Sequence, residues 1–280
     1  MLSYASKHFL ASLPLLCALP ACSSSSTASP VTACAGARFC DDFEAYQAGT
    51  APSAVFTGQL KAGAIAIDEA EHYSGTKSVR LSTEAAAGSK RALLRLAAGS
   101  VFPVPGNAFF GRMMFRLESA PTASVHWTLL QAGGLVEGQG YHALYRYGGQ
   151  QPIVEGGNFV GSQWMANYET PDSYSGTGPA SDCYQHANGG VIPVSEWSCV
   201  EWHFDGPNNA LSLWLDGEAV SGLDVTGTGQ GCVAQPASFE WSAPRFDTLE
   251  VGWESYQTDE ARTLWLDDLA LGTERLGCPP

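Results

Sequence analysis

Three stretches of this 280-residue chain hold side chains able to move protons or grip oxygen-rich ligands. His126-Trp127-Thr128-Leu129-Leu130-Gln131 offers an imidazole and an amide. Tyr141 to Tyr147 offers His142, Tyr145, Arg146 and Tyr147, and Trp164 to Glu169 offers Asn167, Tyr168 and Glu169. A neutral imidazole accepts a proton, a phenol gives one up, and an amide or guanidinium stabilises negative charge developing between them. His126 or His142 is the candidate base, Tyr145 or Tyr147 the candidate acid, and Gln131, Arg146 or Asn167 the candidate electrostatic partner. Each of these, taken singly, also has an ordinary role in satisfying hydrogen bonds within a sheet. Arg146 is the sole fixed cation between Leu117 and Pro244, which makes it the best-placed positive charge for an acidic or hydroxyl-rich ligand.

The elements that must position these groups read as strands. Val200, Trp202 and Phe204 alternate with Glu201, His203 and Asp205, and Leu211, Leu213 and Leu215 repeat the pattern after the turn Gly206-Pro207-Asn208-Asn209. Leu249, Val251 and Trp253, Leu264 to Leu266, Phe109 to Leu117, His126 to Gln131 and Tyr141 to Tyr147 read the same way. Period two places His126, Thr128 and Leu130 on one face, and His142, Leu144 and Arg146 on one face of the next strand. Asn167 and Glu169 share a face. Gln131 has the opposite parity to His126 and reaches that face only through a bulge. Tyr145 and Tyr147 cannot share a regular strand's face with Arg146. No long segment carries a helical apolar stripe, so the reading is all-β: a two-sheet antiparallel sandwich or jelly roll. Thr170 to Val194 reads as the longest irregular insertion, in need of a disulfide through Cys183.

Composition points to an exported chain. A short basic start and an apolar stretch from Phe9 to Leu19 precede Leu19-Pro20-Ala21-Cys22, which reads as a signal peptide over residues 1–21 with a lipobox-like end. Cleavage there leaves Cys22 as a lipidated N-terminus, followed by a Ser-rich tether over 22–33 and one domain over 34–280. The location expected is the bacterial cell envelope, at the outer membrane or cell surface, with the membrane touched only through the lipid anchor. An ordinary cut after Ala18 or Ala21 is the alternative. Removing Cys17 and Cys22 leaves six cysteines, suited to three disulfides in an oxidising compartment. No zinc spacing occurs among them. The formal net charge is −14, which repels nucleic acid, and nothing in the pattern calls for more than a monomer.

Phe39-Cys40-Asp41-Asp42-Phe43-Glu44, Tyr73 to Leu81 and Leu264-Trp265-Leu266-Asp267-Asp268-Leu269 resemble carbohydrate-active jelly rolls of the concanavalin A-like fold. Trp197 to Trp202, Trp214-Leu215-Asp216-Gly217 and Gly252 to Tyr256 are similar, more narrowly, to the fungal cellulose-induced secreted protein and the glucuronan lyases. The resemblance implies a polysaccharide partner and, for the candidate residues above, β-elimination beside a uronate carboxylate. It also implies a structural calcium held by Glu44, by Asp267 or Asp268, and by carbonyls around Ser74 and Lys77, since calcium collects hard oxygen ligands. A non-catalytic glycan binder is the other expectation, with Trp127, Trp164, Tyr168 and Tyr174 as stacking surfaces and Asn167 and Glu169 at the groove's edge. A surface adhesion protein with no sugar ligand is the third. A two-carboxylate hydrolase is disfavoured, because no Glu is followed two positions later by Asp.

Overall fold

The computed structural model describes residues 34–172, 176–236 and 238–279. The signal peptide, Cys22, the tether and Tyr174 lie outside the described residues. The chain opens with β1 (Phe39–Asp41), β2 (Phe56–Lys61), β3 (Gly63–Asp68), β4 (Ser78–Thr83), β5 (Lys90–Leu96) and β6 (Ala108–Leu117). It continues through β7 (Trp127–Leu135), β8 (His142–Glu155), β9 (Asn158–Glu169), β10 (Asp182–Val191), β11 (Ser198–Asp205) and β12 (Ala210–Leu215). Three short strands, β13 (Glu218–Ala219), β14 (Val225–Thr226) and β15 (Gly231–Val233), lead to β16 (Thr248–Ser255) and β17 (Arg262–Gly272).

These strands form a two-sheet antiparallel jelly roll. The first sheet runs β13-β12-β11-β6-β17-β4-β3, with β1 beside β17 and β14 beside β12. The second runs β15-β10-β9-β8-β7-β16-β5-β2. Period-two alternation decides which residues meet between them. Val200, Trp202, Phe204, Leu211 and Leu213 face inward from the first sheet; Trp127, Tyr145, Tyr147, Trp164 and Trp253 face inward from the second. Trp127 stacks on Trp253 at 5.1 Å and meets Trp164 edge-on at 5.4 Å. Such aromatic pairs fill a wide core in which each ring buries roughly 150–250 Å².

The segment read as irregular, 170–194, contains a ten-residue strand. Residues 182–191 form β10, paired with β9 and β15, because Cys183 and Ala187 alternate inward while polar neighbours face out. Its anchor is the Cys183–Cys232 disulfide; Cys34–Cys40 closes the N-terminal loop and Cys199–Cys278 ties the C-terminus to β11. The last closes the longest loop, 79 residues of separation, and therefore restricts the unfolded chain most.

Candidate active site

The outer face of the second sheet carries a polar groove whose centre is a row across its strands. Register places Tyr184 opposite Asn167, Asn167 opposite Arg146, Arg146 opposite Gln131, Gln131 opposite Glu250, and Glu250 opposite Arg95. Five strand spacings of about 4.8 Å make this row roughly 24 Å long. Gln131 reaches the row through a bulge between Thr128 and Leu130, which sends Leu129 and Leu130 both into the core and restores Gln131 to the groove face. Leu130 thus leaves the face expected for it. The bulge presses the backbone of β7 against Gly148, where a Cβ would lie 1.9 Å from the Trp127 carbonyl oxygen, so only glycine fits.

Arg146 is the hub. Its Nη2 lies 2.6 Å from Glu169 Oε2, its Nε donates to Gln131 Oε1 at 2.9 Å, and its guanidinium lies 5.2 Å from the centre of the Tyr256 ring. Gln131 donates in turn to Glu250, which pairs with Arg95 at 3.0 Å; Glu254 pairs with Arg91 at 3.6 Å. Burial pulls the Arg146 pKa down, but Tyr256, Glu169 and Glu254 outweigh it and hold the guanidinium firmly charged. Glu169, Glu250 and Glu254 are each matched by an arginine. The centre of the groove is therefore close to neutral despite the acidic chain.

His126 sits just before β7, fixed by its backbone: its N–H donates to Gln257 Oε1 at 2.6 Å and its carbonyl accepts from Tyr256 N at 3.0 Å. Its ring packs 4.8 Å from the Tyr256 ring, and Nε2 lies 3.4 Å from Asn167 Oδ1. Asn167 Nδ2 donates to the Cys183 carbonyl at 3.2 Å, which turns Oδ1 toward the imidazole. Nε2 then carries the proton and Nδ1 keeps its lone pair. Burial, reinforced by the Arg146 charge, brings the His126 pKa down to about 4, so the ring is neutral near pH 7. Tyr256 donates to Glu254 Oε2 at 3.0 Å and lies 3.1 Å from Thr128 Oγ1; burial holds its phenol well above its ordinary pKa and keeps it protonated. Burial also raises Glu254.

The structure thus brings His126, Gln131, Arg146, Asn167 and Glu169 together. It does not bring the others. Tyr145 and Tyr147 point into the core, where Tyr145 donates to Asn209 Oδ1 and Tyr147 to the Leu223 carbonyl at 3.1 Å. Strand parity had opposed them to Arg146, and burial of two large rings followed it. Trp127, Trp164 and Tyr168 are fully buried for the same reason and present no stacking surface; Trp127 donates inward to Ser162 Oγ at 2.8 Å. His142 lies on the groove face but four residues up β8, roughly 13 Å from Arg146, and its Nδ1 is 2.7 Å from Asp172 Oδ2. Tyr256, Glu250, Glu254, Asp182, Tyr184 and His186 join the face without belonging to any of the three stretches that carry the candidate residues. Glu250 and Glu254 share a face of β16 by parity, the one sequence signal that could have found them.

A second cluster joins the N-terminal segment to β17. Glu44 accepts from the Thr76 and Lys77 amides, both at 2.7 Å, and from Thr76 Oγ1 at 2.8 Å. Gly75 makes this approach possible, since a Cβ there would lie 2.3 Å from Glu44 Oε1. Asp267 accepts from the Tyr73 and Ser74 amides at 2.9 and 3.0 Å, and Ser74 Oγ donates to Asp268 Oδ1 at 3.0 Å. Lys77 sends its ammonium to the Glu44 and Tyr46 carbonyls, both at 2.9 Å. Asp267 and Asp268 are buried side by side, and Asp268 Oδ2 has no hydrogen-bond partner. Burial, with the Asp268 charge beside it, pushes Asp267 up to about 7. Two adjacent buried carboxylates with an orphaned oxygen fit a hard cation.

The whole domain can be compared with known proteins. The chain superposes on the solved structure of the cellulose-induced protein Cip1 with a TM-score of 0.57 at 19% identity, covering 86% of this chain and 99% of that one. It superposes on an endo-β-1,4-glucuronan lyase from the fungus Trichoderma reesei with a TM-score of 0.54 at 14% identity, covering 85% and 96%. Both are fold-level likenesses. No curated protein gives a significant match. The model of the Cip1-like, polysaccharide lyase-like core domain matches residues 42–274. The chain belongs to this Cip1-like, polysaccharide lyase-like family.

Proposed function

We propose that this protein is an exported polysaccharide lyase that cleaves uronate-containing glycans by β-elimination. The observation that carries the reading is the convergence of a neutral imidazole, a guanidinium with amide support, and a protonated phenol in one groove. Elimination needs three things at once: charge stabilisation at the uronate carboxylate, a base for the adjacent C5 proton, and an acid for the departing oxygen. Arg146, held at Nε and Nη2 by Gln131 and Glu169, offers Nη1 to the carboxylate; Gln131 offers its second amide hydrogen. His126 takes the C5 proton on Nδ1, with Asn167 setting its tautomer. The C4–O4 electron pair leaves with the glycosidic oxygen as the C5–H pair forms the C4=C5 bond. Tyr256 turns its proton from Glu254 to that oxygen.

The rival reading, a binder without catalysis, named Trp127, Trp164, Tyr168 and Tyr174 as stacking surfaces; the first three lie in the core, and Tyr174 lies outside the described residues. The lyase reading is tested by absorbance of the unsaturated product at about 235 nm on a panel of uronans. Tyr256→Phe should lower kcat roughly 10²-fold with little change in KM. An unchanged kcat in that variant rejects Tyr256 as the acid, and no product from any uronan or partly neutral uronate-containing glycan rejects the lyase.

The reading extends to the chain's anchorage and its ion. Cys22 carries the lipid that holds the monomer at the cell envelope, which metabolic labelling with a palmitate analogue and Cys22→Ala would test. Calcium, held by Glu44, by Asp267 or Asp268, and by the carbonyls around Ser74 and Lys77, would tie the N-terminal segment to β17, away from the chemistry. At a hundredfold excess over Kd a ligand of the folded state adds about 2.7 kcal/mol, and a domain this size gains about 2–4 °C per kcal/mol. Calcium should therefore raise Tm by roughly 5–10 °C over a chelator-treated sample. Asp268→Asn should abolish that shift; an equal shift in the variant removes Asp268 from the site.

A further inference from the structure

The groove is not the same on its two sides. Toward β5 it opens into a depression of about 470 Å³ lined by Arg91, Arg95, Gln59, Gln131, Glu250 and Asp172, among others. Arg91 and Arg95 have side chains 40% and 42% exposed, while the carboxylates paired with them, Glu254 and Glu250, are only 8% and 11% exposed. A ligand arriving here meets the guanidinium groups first, with their acids beneath them. Asp172 is already engaged by His142, and Asp247 stands at the exposed lip.

Toward β10 the groove opens into a second depression of about 360 Å³ lined by His126, Asn167, Tyr184, His186, Asp182 and three glutamines, Gln150, Gln151 and Gln257. Among the described residues no lysine or arginine lines it. Its one acidic side chain among the described residues is Asp182, whose pKa is raised by burial and by the Glu169 charge. His186 donates Nδ1–H to Gln230 Oε1 at 3.1 Å, which leaves Nε2, buried and without a partner, as an acceptor for a hydroxyl. Amides, a phenol and an imidazole nitrogen suit sugar hydroxyls. A uronate carboxylate placed here would meet Asp182, while the nearest guanidinium, Arg146, is buried and paired with Glu169, so the contact carries a like-charge penalty.

We infer that the substrate is a heteropolymer: the sugar bound on the β10 side of the cleaved uronate is neutral, and a further carboxylate is accepted only on the β5 side. Asp182 is the residue that rejects a uronate, and Arg91 and Arg95 are those that accept one. The inference rests on the lyase reading for the position of the cleaved uronate, and its test separates the two.

The probe is polyglucuronate compared with the same polymer after chemical reduction of part of its carboxyls to primary alcohols, which keeps the linkage and introduces neutral neighbours. Binding is measured on the calcium-loaded His126→Ala protein by calorimetry, and cleavage on the unaltered protein by absorbance. The expected result is at least tenfold tighter binding and at least tenfold higher kcat/KM on the partly reduced polymer. Asp182→Asn should shrink that preference to within about threefold, and Arg91→Gln with Arg95→Gln should raise KM about tenfold while kcat holds. Equal or better binding of the unreduced polymer overturns the heteropolymer, whether or not cleavage occurs. Preference for the reduced polymer without any product leaves the heteropolymer standing and overturns the lyase.

Discussion

His126→Ala is expected to lower kcat on a susceptible uronan by roughly 10²–10⁴-fold, the usual contribution of a positioned general base. The fold should survive, because the ring lies at the rim of the groove, held through its backbone by Gln257 and Tyr256. The pH profile gives a readout that a merely structural role would not move. The base works unprotonated, and burial with the Arg146 charge sets its pKa at about 4. kcat/KM should therefore fall as pH drops through about 4, well below the ordinary imidazole range near 6.5. An acid limb near 6.5 would remove His126 from the role. The same shift has a stability consequence. Between pH 6.5 and 4 the unfolded imidazole binds a proton that the folded one refuses, so stability is lost as pH falls through that window. The native protein should lose Tm more steeply than His126→Ala from pH 6.5 to 4.

Arg146→Ala should damage both stability and activity, and the two losses can be separated. Deleting one member of a buried ion pair costs about 3–5 kcal/mol, here because Glu169 loses the guanidinium 2.6 Å away and Gln131 loses its donor. At about 2–4 °C per kcal/mol, Tm should drop roughly 6–20 °C. Removing the charge stabilisation at the uronate should cost a further 10²–10³-fold in kcat, about the effect of deleting one oxyanion donor. Adding Glu169→Ala should recover much of the Tm and none of the rate. Arg146→Lys should behave similarly, since an ammonium keeps the charge but cannot hold Gln131 and Glu169 while facing a carboxylate. Full activity in Arg146→Lys would show that only the charge matters. Recovery of the rate in the double variant would place the carboxylate receptor elsewhere in the groove.

The groove was half legible before the fold. Arg146 stood out as a lone cation among tyrosines, and parity correctly set Tyr145 and Tyr147 on the face away from it; chemical suitability had argued for those two against that geometry, and geometry prevailed. Trp127 and Trp164 followed the same rule, since each flanks groove residues on a half-buried strand. Gln131 depended on a bulge, which no alternation reveals. The groove's phenol, Tyr256, and its acids on β16 were hidden by distance along the chain: Gln131 and Glu250 are 119 residues apart, and His126 and Gln257 131 apart.

By itself the sequence determined the sheet architecture and the face on which most residues lie, because period two is a property of the extended backbone and needs no knowledge of neighbours. The tertiary structure alone decided which strands lie side by side, and with that the site. Strand order is set by how both sheets together bury Trp127, Trp164, Trp202 and Trp253, and that burial puts β16 against β7 and β10 against β9. The arginines of β5 and the carboxylate of Asp182 thereby come to stand at opposite ends of one groove.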